Sequence, residues 1–136
     1  MNINKIGCIV AATLIAFSSC KKDEIVTVET ENYKGVFVVN EGGFAKSNGS
    51  IGLYKPGEKK YFDAFKKANS LPLGDVVQSM SLIGTNYYIV VNNSNKIEVV
   101  SKKDFKSVST ISTPSPRYVL DVSYSKAYVS NLIQTF

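Results

Sequence analysis

The chain contains no histidine and no tryptophan. Without histidine it lacks the usual general base, the usual zinc ligand and every Ser-His-Asp or Cys-His arrangement, which argues against a hydrolase. Cysteine is scarce too: Cys8 and Cys20 are the two in 136 residues, so no disulfide framework and no CxxC-type motif is available. Also missing is an apolar run long enough to cross a membrane. The longest, Ile6 to Phe17, is about twelve residues, where a spanning helix needs roughly 20. A convincing 3.6-residue period is absent as well. The nearest approach is Lys60 to Asn69, where Phe62, Phe65 and Ala68 share a face; it reads as an extended strand and loop with one helical turn. The formal charge of +5 comes from scattered lysines, paired at Lys59-Lys60, Lys66-Lys67 and Lys102-Lys103. They form no continuous basic patch interleaved with aromatics, so the chain is not expected to bind nucleic acid.

What is present begins with a secretory pattern. Lys5 supplies the positive charge, the apolar run follows, and Ser18-Ser19 lead into Cys20. Phe17-Ser18-Ser19-Cys20 resembles the lipobox of bacterial lipoproteins. That resemblance implies a signal peptide over residues 1–19, acylation of Cys20 and a lipidated tether over residues 20–34. One acyl chain holds a protein only marginally, whereas several make a lasting anchor. Lys22-Asp23-Glu24 resembles the short export signal of Bacteroidetes lipoproteins, which places the protein on the outer membrane at the cell surface. Without residues 1–19 about 117 remain, enough for one small domain.

From Gly35 the chain becomes a series of short apolar, β-branched runs divided by Gly, Asn, Ser, Lys and Pro, which is strand-and-turn punctuation. The runs recur. Val36-Phe37-Val38-Val39-Asn40 matches Tyr88-Ile89-Val90-Val91-Asn92 and again Ala127-Tyr128-Val129-Ser130-Asn131. The last two asparagines are 39 positions apart and the first two 52, so the first unit carries an insertion. The second unit lays out as Tyr87–Asn92, Lys96–Ser101, Ser107–Ser112 and Tyr118–Ser123, with Ala127 opening the next. Four short strands in about 40 residues is the spacing of a β-propeller blade, and a β-sandwich is the alternative. The expectation is an all-β partial propeller of about two to three four-stranded blades over residues 35–136.

Ala127-Tyr128-Val129-Ser130-Asn131 is similar to the YVTN motif of bacterial seven-bladed propellers. Val38-Val39-Asn40-Glu41-Gly42, Asn69 to Val76 and Val91 to Ile97 resemble the opening blades of Bacteroidetes surface lipoproteins that capture cobalamin beside a TonB-dependent transporter. The likeness covers residues 35–132. It implies a non-enzymatic binder of a small molecule, with cobalamin as bound ligand rather than cofactor, held to the membrane by lipid and partnered by a TonB-dependent receptor. Two alternatives follow from related propellers: a surface-layer or adhesive protein that docks another protein, and a lactonase-like or dehydrogenase-like enzyme. The available acids, Glu41, Asp63, Asp75 and Asp121, show no paired spacing for catalysis. A propeller closes with four to eight blades. About two and a half are expected here, which points to a truncated product of a longer gene or to several copies sharing a ring.

The 39-residue offset places Gln78 and Arg117 at equivalent positions before successive innermost strands, side by side at a channel mouth. Arg117 offers a planar fork and Gln78 both donates and accepts, which suits phosphate and amide groups; the alternative is a structural pairing of Arg117 with an acid. The loop from Asn69 to Asp75, shaped by Pro72 and Gly74, supplies two further candidate ligand contacts, Asn69 and Asp75, the latter also readable as a turn former. Asn40, Asn92 and Asn131 read as structural strand-end amides, and Tyr87, Tyr88, Tyr118 and Tyr124 as packing residues.

Overall fold

The computed structural model describes residues 33–123 and 125–132. The expected signal peptide, Cys20 and the expected tether up to Asn32 lie outside the described residues. The described chain is all-β, built from three antiparallel sheets met in sequence order. The first holds β1 (Val36–Asn40), β2 (Ser50–Lys55) and β3 (Lys60–Asp63). A short helix, α1 (Ala64–Asn69), and a loop then lead to the second sheet. That sheet is a four-stranded meander of β4 (Val77–Ile83), β5 (Asn86–Val91), β6 (Lys96–Ser101) and β7 (Ser107–Ser112). The third is the hairpin of β8 (Pro116–Ser123) and β9 (Lys126–Asn131).

The sheet boundaries differ by one strand from the sequence grouping. Tyr118–Ser123 was expected to be the fourth strand of the unit that begins at Tyr87. In the structure β8 instead pairs with β9, and the fourth member of the second sheet is β4, which precedes β5. The repeat length is unaffected; only its phase is shifted. The turn after β7 explains the departure. Thr113 N–H donates to Asn95 O at 3.0 Å, Ser115 N–H donates to Asn95 Oδ1 at 2.8 Å, and Ser115 adopts a left-handed φ of 42°. These bonds turn the chain off the edge of β7 instead of letting it fold back as a further hairpin strand.

Packing follows from period-two alternation. On β5, Ile89 and Val91 face the first sheet and join Ile51, Leu53, Leu73, Val77, Val100 and Phe105 in the main core. Val90, between them, faces the other way with Ile97 against Val119 of β8. The central strands β5 and β6 are thus covered on both faces, which is why they read as apolar runs, whereas β7 at the sheet's edge is exposed along its length. The outer two sheets are covered on one face only. Val36, Val38 and Tyr61 of the first, and Tyr118, Leu120, Val122 and Tyr128 of the third, are exposed.

The 52-residue spacing of the first unit is accounted for by α1 and the loop behind it. Asp63 caps the helix, its Oδ1 accepting from Lys66 N–H at 3.1 Å, and Ser70 ends it in the left-handed region at φ 56°. Ala64 and Phe65 are buried. The expected extended strand with one helical turn over Lys60 to Asn69 is therefore a strand followed by a helix.

Candidate ligand-binding site

Gln78 and Arg117 occupy the same place in successive first strands. The pairing of β4 with β5 skips from Val77↔Val91 to Ser79↔Val90, leaving Gln78 as the extra residue of a bulge. The pairing of β8 with β9 skips likewise from Pro116↔Asn131 to Tyr118↔Ser130, leaving Arg117 extra. A β-bulge kinks its strand and re-aims the unpaired residue's side chain. Here two equivalent bulges bring the side chains together: Arg117 Nη1 donates to Gln78 Oε1 at 2.8 Å. Neighbouring bonds hold the two strands side by side, Ser79 Oγ donating to Arg117 O at 2.8 Å and Ser81 Oγ to Val119 O at 3.0 Å.

Arg117 is half-buried and has no acidic partner among the described residues; its side-chain partner is an amide. A guanidinium carries five N–H donors, and one of them meets Gln78. The cluster therefore holds a positive fork, pre-oriented by a neutral acceptor, with donors left for an incoming oxygen. This arrangement suits phosphate, carboxylate or amide oxygens.

Asp75 lies at the same end of the molecule and is buried. Its Oδ2 accepts from Ala45 N–H at 2.8 Å and from Asn93 Nδ2, and its Oδ1 accepts from Ser47 N–H at 3.4 Å. The Asn93 amide beside it is the main reason its pKa is lowered; burial opposes the shift and the loop N–H groups add to it. Asp75 thereby joins the β1–β2 loop to the β5–β6 turn. Gly74 before it has φ +139°, and a Cβ there would come within 2.7 Å of Ser94 Oγ, so the loop needs glycine at that point.

Asn69 sits elsewhere. Its Nδ2 donates to Phe65 O at 3.0 Å and Phe105 O at 3.1 Å, and its Oδ1 accepts from Ser107 N–H at 2.8 Å. The β6–β7 turn it fastens is at the end of the sheet away from Gln78. Of the four candidates, then, the structure places Gln78, Arg117 and Asp75 at one end and Asn69 at the other. The recurrent asparagines also bond within the protein. Asn40 Nδ2 reaches Ser50 Oγ at 3.2 Å, Asn92 Nδ2 reaches Pro116 O at 2.9 Å and Asn131 Nδ2 reaches Thr113 Oγ1 at 2.9 Å.

Residues 34–132 match the protein family described as a domain of unknown function, DUF5074. The chain belongs to that family. No curated protein matches it. Every strand of the three sheets falls inside the DUF5074 domain. Among its described residues no cluster of three or more His, Cys, Asp or Glu is placed to hold a metal, and no helix is long and apolar enough to cross a membrane. One residue of the domain escaped the reading of the sequence. Phe44 is 74% exposed on the β1–β2 loop that Asp75 pins, at the Gln78–Arg117 end. The signal was an aromatic following Gly42-Gly43 in a turn, where no strand needs it for packing.

Proposed function

We propose that this chain supplies blades of a β-propeller that binds a small polar nutrient, cobalamin first, at the cell surface. In this reading lipid on Cys20 holds it to the outer membrane, and the solute passes unaltered to a TonB-dependent transporter. The observation that carries the reading is the pair of equivalent bulges that set Gln78 and Arg117 in contact at 2.8 Å. A repeated irregularity that aims polar groups to one point is costly to a ladder and makes sense where those groups meet a ligand. Cobalamin carries a phosphate and many amides, which match a guanidinium fork beside an amide. Propeller geometry is supported by β4 and β8, each the first strand of its sheet, lying side by side. It is also supported by the exposed apolar faces of the first and third sheets, which suit further sheets of the same kind.

Calorimetric titration of this chain with cyanocobalamin tests the ligand. A micromolar or tighter Kd is expected, weakened at least about tenfold by Arg117→Ala. Absence of binding at micromolar concentration overturns the cobalamin assignment. Radiolabelled palmitate tests the anchor separately: label is expected on the wild-type chain and not on Cys20→Ala.

A further inference from the structure

A cavity lies between the first and second sheets, at the end away from Gln78 and Arg117. Its volume of about 670 Å³ is in the range of small-molecule sites. The floor is aromatic, made by Tyr33, Phe37 and Tyr87. Fully buried Phe105 braces these rings from behind, with centroid distances of 5.3 Å to Tyr33, 5.2 Å to Phe37 and 5.6 Å to Tyr87. Phe37 and Tyr87 also contact each other at 5.2 Å. The floor is therefore set by core packing before any ligand arrives.

The rim is cationic. Lys34, Lys102 and Lys103 line it, and the described lining contains no acid. All three are exposed, and none has an acidic partner among the described residues. The backbone under them is fastened, Lys102 N–H donating to Thr85 O at 2.9 Å across the cleft wall.

We propose that this cleft binds an amphipathic organic anion: a flat apolar ring system that carries a carboxylate or phosphate. The rings stack on the aromatic floor while the acid group meets the lysine rim. Burial raises the pKa of Tyr87, so its phenol stays neutral and adds no competing negative charge. The site is distinct from the Gln78–Arg117 pair. The seven-residue strand β4 starts beside Gln78 and ends at Ile83, just before the turn that supplies Thr85 to the cleft. About 20 Å of strand separates the two ends.

The test uses 2-naphthoate and its neutral isostere 2-naphthamide as probes, followed by ¹⁵N–¹H NMR on the intact chain. Saturable shifts are expected at the amides of Lys34, Gly35, Thr85 and Ser101 to Lys103, with naphthoate binding about tenfold or more tighter than naphthamide. The Lys102→Ser/Lys103→Ser double variant alters exposed side chains and keeps the floor. It is expected to lose most of that preference, while a Lys46→Ser/Lys126→Ser control retains it. Equal affinity for both probes, an unchanged preference in the Lys102/Lys103 variant, or shifts confined to the exposed faces around Leu120 and Val36 would each overturn the proposal. Because the Gln78–Arg117 pair is untouched, cyanocobalamin titration of the same variant reads that site independently.

Discussion

Asp75, readable from sequence as a ligand contact or as a turn former, is hydrogen-bonded within the protein. Its oxygens accept from Ala45 N–H, Ser47 N–H and Asn93 Nδ2, so it staples two loops at the end where Gln78 and Arg117 meet. Those donors favour the ionised form and depress its pKa below the ordinary carboxylate value. A depressed folded-state pKa adds stability above the unfolded-state value that is lost as pH falls through the folded one. Denaturant midpoints measured between pH 6 and pH 2 are expected to fall for the wild type and to show a shallower slope for Asp75→Asn. A second carboxylate, Glu98, is 4% exposed on β6 and is held by Lys96 Nζ at 2.8 Å, by Ser107 Oγ and by Thr110 Oγ1 at 3.2 Å. Removing its cation leaves the buried carboxylate unpaired, so Lys96→Ala is expected to cost about 3 kcal/mol in urea unfolding. Replacing Lys96 and Glu98 together by leucine is expected to cost far less, because no charge is then stranded. The Gln78–Arg117 neighbourhood was legible as a 39-residue offset. The bulges that create it were not, because a bulge is a mismatch between two strands and neither strand's sequence contains it.

At the scale of elements, repeat length and strand identity were readable because alternation and turn residues act locally. Val36 to Asn40, Lys96 to Ser101 and Ser107 to Ser112 are strands where the pattern put them. The division into sheets was not readable. A four-strand repeat can be cut before any of its strands without changing its period. The cut falls after β7 because Asn95 ties down Thr113 and Ser115. The helix α1 was visible only as a face of three apolar residues, since six residues are too few for a periodic signal. Its start depends on one side chain. Asp63→Ala removes the acceptor for Lys66 N–H and is expected to lower stability by about 1 kcal/mol, read as a shift in thermal midpoint. Asparagine at that position is expected to recover most of the loss.

At the scale of the whole molecule, the central strands β5 and β6 of the second sheet are buried on both faces while the outer sheets each leave one apolar face in water. Leu120 is 65% exposed and Val122 52%. Contiguous exposed apolar surface of this kind favours association. Sedimentation velocity is expected to show concentration-dependent self-association that Leu120→Lys/Val122→Lys reduces, with the far-ultraviolet spectrum unchanged. Larger assemblies that persist in that variant would place the association elsewhere. The short β-branched runs, the turn residues between them and the 39-residue recurrence are properties of the chain in one dimension, and they determined the strands and the equivalence of Gln78 with Arg117. The tertiary structure alone decided where the sheets divide, which end of the molecule Asn69 and Asp75 occupy, and that Tyr33, Phe37 and Tyr87 meet beneath three lysines. Those outcomes depend on register and on contacts between residues far apart in sequence, which local pattern does not encode.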